Sequence, residues 1–317
     1  MQNNIMVSVI CLTYNHEKYI EKTIQSILNQ ETDFKFELLI HDDASTDGTK
    51  LIIKRYAELY PDIIIPIYQE ENQYSQGINI SSKFIYPITN GKYIAWCEGD
   101  DFWTEKYKLQ KQVDFLEKNK KFIGCVHKYN VVDLKDEVKD IKTFGYYENE
   151  ETYTFNDFFV KELPSQIGSL VCRNILKDPE IGYPRLFDEV KLQGDVKLFL
   201  YLLTYGDIYR LDEIMSAYRF AIAENDTSWS ANYIRKPHNY KKFKELCHME
   251  KIYKKIYTRN IKFDDRKLKC IIGKIMELKR EFNLISFCEF MKMVFMQKGS
   301  LSLVFGIGLN KIKRGVK

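Results

Sequence analysis

Three carboxylates lie within four residues at one point of the chain, in the sequence Glu98-Gly99-Asp100-Asp101. Carboxylates this close repel one another unless a cation offsets their charge. Mg²⁺ and Mn²⁺ prefer carboxylate oxygens, waters and substrate phosphates as ligands, and Gly99 leaves room for a ligand beside the backbone. The cluster therefore predicts a divalent-metal site. The alternative is an acidic surface turn in which Asp101 caps the next helix.

A second acidic turn has the sequence Asp42-Asp43-Ala44-Ser45-Thr46-Asp47-Gly48. Its later residues could cap the helix that we expect to follow, because serine, threonine and aspartate are common N-caps. A cap does not account for both Asp42 and Asp43, which come earlier. A carboxylate there could instead accept a hydrogen bond from the N–H of a nucleobase. The residues alone leave both interpretations open.

Asp195 is a further acidic candidate, because it begins a predicted helix at 195–205. A carboxylate in the first turn of a helix interacts favourably with the helix dipole. The local pattern by itself therefore favours a structural role for Asp195. A general base needs the same residue type, placed to accept a proton from a substrate hydroxyl, and Asp188 and Glu189 are the nearby competitors for that role.

The first two acidic turns follow predicted strands. Apolar runs predict strands at 6–13, 36–41, 63–68 and 93–97, with helices between them at 17–29, 48–59 and 82–88. This alternation predicts an α/β fold with a mostly parallel central sheet flanked by helices. Ligands of such sheets bind beyond the carboxyl ends of the strands. Three polar segments occupy those positions: Thr13-Tyr14-Asn15, Asp42-Asp43 and Glu98-Gly99-Asp100-Asp101.

Composition limits the class of protein. The 317 residues are 45% hydrophobic and 29% charged, which is typical of a globular protein with one large domain and an appendage, or two modest domains. Neither a signal peptide nor an apolar run of about 20 residues is visible, so we expect a cytoplasmic location. The seven cysteines are odd in number and scattered, which predicts reduced thiols and no zinc site.

Charge is distributed unevenly along the chain. From residue 231 to the end there are 22 Lys and Arg against 7 Asp and Glu, although the whole chain carries only +4. This asymmetry predicts a boundary near 225–232, followed by a basic helical C-terminal region at 231–317. Its lysines could simply be a solvated helical face, or they could contact an anionic membrane surface peripherally. The chain has no recognisable nucleic-acid-binding motif.

Four motifs in order and in spacing carry a resemblance to a known family. The chain resembles the family 2 glycosyltransferases, which have the nucleotide-binding GT-A fold, over roughly residues 5 to 220. The resemblance implies a GT-A domain at 1–230, with a nucleotide-binding half at 1–130 and an acceptor half at 131–230. The motifs are Leu12-Thr13-Tyr14-Asn15, Ser26-Ile27-Leu28-Asn29-Gln30, Asp42-Asp43-Ala44-Ser45-Thr46-Asp47-Gly48-Thr49 and Glu98-Gly99-Asp100-Asp101-Phe102-Trp103.

The resemblance also implies roles for the nucleotide-binding residues. Thr13, Tyr14 and Asn15 would line the base and ribose, with Glu17 nearby. Asp43, together with Asp42, would bind the edge of uracil or thymine. The turn at 98–100 corresponds to the DxD motif of the family, with Glu98 facing the ribose and Asp100 holding Mn²⁺ or Mg²⁺ on the diphosphate. The first position of the motif is Glu rather than Asp in this chain.

In the acceptor half, the resemblance implies inverting transfer with Asp195 as the base. Arg219, Trp229 and Asp101 are candidates for contacts with the acceptor or the diphosphate. Many relatives carry a histidine soon after the Tyr-Arg pair, where this chain has Phe220-Ala221-Ile222. We therefore expect the metal to rely on diphosphate and water for its other ligands. Lone histidines at strand ends are usually structural, so the following are left out of the predicted site: His16, His41 and His127.

The predicted function is transfer of a sugar from a UDP- or dTDP-sugar to a glycan or lipid-linked acceptor hydroxyl, in cell-surface polysaccharide synthesis. Two alternatives remain. A sugar-nucleotide nucleotidyltransferase would normally show a glycine-rich phosphate loop after the first strand, where this chain has Thr13-Tyr14-Asn15-His16. A catalytically silent GT-A binding protein would keep the fold without turnover.

Overall fold

The structure is a computed structural model that describes residues 5–141, 147–178, 180–220 and 238–297. The chain divides into two compact units, Met1–Glu189 with Gln193–Ala231, and Val190–Leu192 with Asn232–Lys317. The predicted contact residue Trp229 and the predicted boundary near 230 lie outside the described residues, as does the basic sequence at 311–317.

The described part of the first unit contains a ten-stranded sheet in the order β3-β2-β1-β4-β9-β6-β10-β5, with β7 and β8 beside β6 and β10. The pairs among β3, β2, β1 and β4 are all parallel, as the alternation of strands and helices predicts. The second half is mixed, because β9 lies antiparallel between β4 and β6 while β6 and β10 are parallel. The strands are β1 Ile5–Thr13, β2 Lys35–Asp42, β3 Ile64–Tyr68, β4 Tyr93–Trp96, β5 Phe102–Trp103, β6 Phe122–Val132, β7 Val138–Lys139, β8 Glu151–Tyr153, β9 Val171–Arg173 and β10 Asp207–Arg219.

Helices pack on this sheet through apolar residues at helical spacing. In α1 the side chains of Ile20, Ile24 and Ile27 are fully buried against the core that Val7 and Val9 of β1 form, because positions three and four apart share one helix face. The helices of this unit are α1 Ile20–Leu28, α2 Thr49–Leu59, α3 Lys108–Lys118, α4 Asp157–Val160 and α5 Gly194–Tyr205. The predicted α/β architecture is confirmed.

One predicted helix differs in form. The segment predicted as a helix at 82–88 is a π-helical turn at Ser81–Ile85 followed by a 3₁₀ turn at Tyr86–Ile88. Pro87 explains the change, since its ring removes a backbone N–H and prevents a regular α-helical ladder through this point.

The second unit is helical in its described residues. It contains α6 Asn239–Tyr257, α7 Asp264–Arg280 and α8 Leu284–Met296. Buried residues such as Phe243, Ile271 and Met293 form its interior. None of the described helices is both long and apolar enough to cross a bilayer. The seven cysteines are free thiols and five of them are buried, as their scatter in the sequence predicts.

Candidate active site

Three predicted polar segments meet at one edge of the sheet. Strand β1 lies between β2 and β4 and is parallel to both, so the loops that follow these strands leave the sheet side by side. Hydrogen bonds join them: the N–H of Asp43 donates to the carbonyl of Thr13 at 3.0 Å, and the N–H of Gly99 donates to the carbonyl of Leu12 at 2.9 Å. The three polar segments that the sequence predicts at the strand ends are therefore neighbours in the structure, and their role as a site stays a prediction.

The loops after β1 and β2 are locked to each other. The N–H of Asn15 donates to Oγ of Ser45 at 2.9 Å, and Oδ1 of Asn15 accepts from the N–H of Thr46 at 2.8 Å. Both loops use left-handed backbone, with φ of 56° at Asn15 and 61° at Ala44. Tyr14 and Glu17, which follow β1, are both exposed.

The two aspartates at the end of β2 have different surroundings. The carboxylate of Asp43 accepts hydrogen bonds from the N–H groups of Gln73 at 2.8 Å and Tyr74 at 3.0 Å. Asp42 is fully buried; its Oδ2 accepts from the N–H of Ser45 at 3.3 Å, whereas its Oδ1 has no hydrogen-bond partner. Asp43 is itself only 2% exposed, and its predicted contact with a base stays a prediction.

The turn after β4 brings its carboxylates together. One oxygen from each of Glu98, Asp100 and Asp101 lies within 4.8 Å of the others. Asp101 is buried; its Oδ1 accepts from the N–H of Arg219 at 2.8 Å, and its Oδ2 is buried without a partner. An unpaired buried carboxylate oxygen is costly. These three side chains fit a divalent cation, because a hard cation would satisfy this oxygen and offset the clustered charge.

Electrostatics in this turn oppose further negative charge. Burial, followed by the charges of Asp100 and Asp195, raises the pKa of Glu98 to about 8. Burial also raises the pKa of Asp101 well above its usual value, reinforced by Asp100 and Glu98 and opposed by Arg219. Because the charge of Asp195 contributes to the raised pKa of Glu98, Asp195 interacts electrostatically with this turn. A positive charge bound at this turn would therefore be stabilised by the carboxylates.

His16 stands at this turn, although the sequence analysis left it out. Its Nε2 is 4.0 Å from Oδ2 of Asp100. A side chain at position 99 would place its Cβ 2.6 Å from Oγ1 of Thr13 and 2.8 Å from Nδ1 of His16, so Gly99 is required for this close packing. The loop after β1 is polar, but nothing in its spacing identifies which of its residues meets the turn after β4.

Arg219 supports the acidic turn from the end of β10. Its Nε donates to the carbonyl of Asp100 at 2.8 Å and its Nη1 to the carbonyl of Asp133 at 2.8 Å. Its Nη2 forms an ion pair with Asp136 at 2.6 Å, and the guanidinium stacks on Tyr19 at 4.3 Å. The predicted contact of Arg219 with diphosphate or acceptor stays a prediction beside these protein contacts.

The three candidate bases differ in their surroundings. Asp195 lies in the first turn of α5 and is partly exposed; its Oδ1 accepts from the N–H of Val196 at 2.7 Å. Both oxygens of Asp188 accept hydrogen bonds at 2.6 Å, from Asn79 and Ser82. Glu189 is exposed. The charge of Asp195 contributes to the raised pKa of Glu98.

Comparison with known proteins agrees with this geometry. Residues 8–179 match the family model described as glycosyl transferase family 2. The chain belongs to this family. A 30% identical, uncharacterised relative from Mycobacterium tuberculosis aligns over 67% of this chain but only 58% of its own length. The chain therefore spans less than two thirds of that relative.

Two further relatives of this chain come from Bacillus subtilis and Escherichia coli. The putative teichuronic acid biosynthesis glycosyltransferase TuaG of Bacillus subtilis is 28% identical over 68% of this chain and 79% of its own. The UDP-Glc:alpha-D-GlcNAc-diphosphoundecaprenol beta-1,3-glucosyltransferase WfaP of Escherichia coli is 27% identical over 79% of this chain and 86% of its own.

A solved structure confirms the GT-A fold. TarS of S. aureus in complex with UDP-GlcNAc superposes with a TM-score of 0.60 and 18% identity, covering 92% of this chain and 80% of the TarS chain. At this level of identity the likeness concerns the fold alone. Both the family and the fold that the four motifs imply are thereby confirmed.

Proposed function

We propose that the protein is an inverting, metal-dependent glycosyltransferase. It moves a sugar from a UDP- or dTDP-sugar to a hydroxyl of a glycan or lipid-linked acceptor in cell-surface polysaccharide synthesis. The observation that carries this proposal is the acidic turn, with its buried unpaired Asp101 oxygen, set beside the loops that follow β1 and β2. The likeness to TuaG, a putative glycosyltransferase of teichuronic acid biosynthesis, and to WfaP, a glucosyltransferase for a diphosphoundecaprenol-linked sugar, supports the acceptor class.

The nucleotide is bound by the two loops that Asn15 and Ser45 join. Asp43, with Asp42 behind it, accepts a hydrogen bond from the N–H of the uracil or thymine ring. The other proposed contacts to the base and ribose come from the same loop: the exposed Tyr14, Asn15 and Glu17, and the buried Thr13. The complex of TarS with UDP-GlcNAc supports a nucleotide-sugar donor on this fold.

Asp100 holds the divalent cation, and Glu98 faces the ribose. Asp100 is partly exposed, unlike the buried Asp101, so its carboxylate is open to a ligand. When bound, the cation neutralises the charge that develops on the departing nucleoside diphosphate. Asp101 stabilises the conformation of the turn, because its carboxylate accepts a hydrogen bond from the N–H of Arg219.

Asp195 accepts the proton of the acceptor hydroxyl as that oxygen attacks the anomeric carbon from the face opposite the leaving group. It lies in the first turn of α5 and is partly exposed, and its charge contributes to the raised pKa of Glu98. Asp188 is the competing candidate, and its two oxygens accept hydrogen bonds from Asn79 and Ser82. The halves at 1–130 and 131–230 then supply nucleotide and acceptor contacts respectively, with Arg219 and Trp229 as candidates for the latter.

The second unit contacts the inner face of the cytoplasmic membrane peripherally. Helix α8 buries Met293 and Val294 but exposes large apolar side chains on its other face. A helix that is apolar on both faces needs cover on both. Cationic Lys279, Arg280 and Lys292 are exposed beside it, and such surfaces bind anionic lipid through combined apolar and electrostatic contacts. The exposed side chains of α8 are Leu284, Ile285, Phe287, Phe295 and Met296, and Phe282 is exposed just before the helix begins.

A donor screen tests the proposed activity. The full chain is incubated with UDP-, dTDP-, GDP- and CMP-sugars, with Mn²⁺, Mg²⁺ or chelator, and with glycan and polyprenyl-diphosphate glycan acceptors. We expect turnover with a UDP- or dTDP-sugar that chelator abolishes, and a product of inverted anomeric configuration by NMR.

Two outcomes would favour other functions. Release of diphosphate from a nucleoside triphosphate and a sugar phosphate would favour a nucleotidyltransferase. Donor binding without turnover across the acceptor panel would favour a silent binding protein. Turnover that is unaffected by chelator would exclude the metal role of Asp100.

A further inference from the structure

His16 faces Asp100 across a gap that is too wide for a hydrogen bond. The distance from Nε2 of His16 to Oδ2 of Asp100 is 4.0 Å, whereas hydrogen bonds between such atoms are about 2.7–3.2 Å long. Two ligands of one ion, with bonds of about 2.0–2.2 Å each, lie up to about 4.3 Å apart when they stand on opposite sides of it. The gap therefore has the span of a coordinated cation.

The orientation of the imidazole suits coordination through Nε2. Nδ1 of His16 points toward Gly99, where a Cβ would lie 2.8 Å from it, and it is buried without a partner. Oγ1 of Thr13 borders the same space, is also buried without a partner, and belongs to a side chain that is only 4% exposed. A histidine that binds metal through one nitrogen usually donates the N–H of the other to a nearby acceptor. Oγ1 of Thr13 is the unpaired hydroxyl on the same side of Gly99, although no hydrogen bond joins it to Nδ1 of His16 in this structure.

The other two histidines of the first unit are engaged elsewhere. Nε2 of His41 lies 3.0 Å from Nε2 of Gln69, and Nδ1 of His127 lies 2.7 Å from the carbonyl of Lys128. Among the described residues, His16 is therefore the imidazole that meets the acidic cluster of Glu98, Asp100 and Asp101.

We propose that Nε2 of His16 is a ligand of the divalent cation held at the acidic turn, with Thr13 orienting the ring. This inference rests on the proposed metal-dependent function and adds a nitrogen to its ligands. Imidazole binds first-row transition ions better than it binds Mg²⁺, which prefers oxygen. The site therefore favours Mn²⁺ over Mg²⁺, and His16 is a determinant of that preference.

The test uses the spin of Mn²⁺ rather than turnover. The full chain is prepared with natural-abundance or nitrogen-15 histidine, and electron spin-echo modulation is recorded with Mn²⁺ alone and with Mn²⁺ plus UDP. We expect a histidine-nitrogen coupling in the wild type that changes with the isotope. The coupling should vanish in His16→Gln and persist in His248→Gln, a matched change in the second unit.

Titrations with Mn²⁺ and Mg²⁺ give a second readout. We expect His16→Gln to weaken Mn²⁺ binding about tenfold or more and Mg²⁺ binding much less. Thr13→Val should weaken Mn²⁺ binding more than Thr13→Ser does, because only serine keeps the hydroxyl.

Two results would overturn the inference: bound Mn²⁺ without histidine coupling in the wild type, or equal losses of Mn²⁺ and Mg²⁺ affinity in His16→Gln. Failure of the wild type to bind Mn²⁺ at all, with or without UDP, would instead count against the proposed metal-dependent function itself.

Discussion

The backbone N–H of Arg219 donates a hydrogen bond of 2.8 Å to Oδ1 of Asp101, across 118 residues of sequence. The same residue holds the carbonyl of Asp100 through its Nε. Arg219 thus touches two consecutive residues of the acidic turn, one through its backbone and one through its side chain. The conformation of the turn depends on a strand from the far end of the unit.

This relationship makes Arg219→Lys a test of positioning. Lysine keeps the charge and the backbone N–H, but it cannot reproduce the fork that binds Asp100, Asp133 and Asp136 together. We expect UDP with Mn²⁺ to bind about tenfold more weakly, and the free energy of unfolding to fall by about 1–3 kcal/mol. Calorimetry and thermal unfolding measure the two effects.

Asp136→Asn is the matched control. It removes the ion pair between Arg219 and Asp136 and leaves the hydrogen bond from Arg219 to the carbonyl of Asp100 in place. It should lower stability slightly without changing UDP affinity. Equal losses of affinity in Arg219→Lys and Asp136→Asn would argue against a specific role of Arg219 in the turn.

Asp195→Asn separates catalysis from binding. The amide cannot accept the acceptor proton, and removing a general base typically costs about 10²–10⁴-fold in rate. We expect kcat to fall by that factor while the affinity for UDP with Mn²⁺ stays near the wild-type value. Steady-state rates and UDP titrations on the same preparation provide the measurement.

Asp188→Asn is the comparison for this variant, since it alters a carboxylate that Asn79 and Ser82 already bind. It should affect stability more than kcat. A larger loss of kcat in Asp188→Asn than in Asp195→Asn would transfer the proposed base role to Asp188.

Lys108 gives the protein a pH-dependent stability. Its amine is fully buried, donates to Oε1 of Gln112 at 2.8 Å and lies 4.2 Å from the ring of Trp103. Burial lowers its pKa from 10.5 to about 7, and the neighbouring Cys97 and Cys125 oppose this shift only weakly. Between these values the unfolded chain binds more protons than the folded chain. The stability of the wild type should therefore rise with pH in this window.

Lys108→Met should remove this dependence. Relative to the variant, the wild type should gain up to about 1.4 kcal/mol in the free energy of unfolding per pH unit above pH 7. Urea unfolding across the window measures the slope. Lys118→Met, at an exposed position of the same helix, should leave the slope unchanged. Parallel slopes for the wild type and Lys108→Met would show that the buried amine stays charged.

The exposed face of α8 predicts binding to anionic vesicles. Ile285 is 75% exposed on this face, and Leu51, on α2 in the first unit, is 73% exposed. We expect Ile285→Ser combined with Leu284→Ser to reduce sedimentation with vesicles that contain phosphatidylserine, and Leu51→Ser to have no effect. Wild-type protein that ignores anionic and neutral vesicles alike would exclude the membrane contact.

The sequence predicts the first half of the fold well. The strand predicted at 6–13 is Ile5–Thr13, and the predicted helix at 17–29 contains α1. Strands that are buried on both faces read as continuous apolar runs, and amphipathic helices repeat every three or four residues. Such local signals also predict where polar loops leave a parallel sheet, which is why the three polar segments could be placed together.

Long-range partners are not predictable in this way. No periodicity indicates that Arg219 holds Asp101, or that His16 rather than Tyr14 turns toward Asp100. The position of β9 between β4 and β6, antiparallel to both, is equally hidden, because a run of three residues gives no sign of which strands become its neighbours. These features depend on which strands become neighbours, and a single sequence gives no direct signal of that.

Strand β10 has a consequence for how the protein becomes active during synthesis. Its partners lie far back in the chain: Ser216 pairs with Trp103 of β5, and Arg219 holds Asp101. Contacts of long sequence separation form slowly, because chain entropy is lost before they can form. A nascent chain can therefore form β1 to β4 before Arg219 is available to hold the turn at residues 98–101. We expect the protein to be inert toward its donor until β10, the last of the described strands along the chain, has left the ribosome.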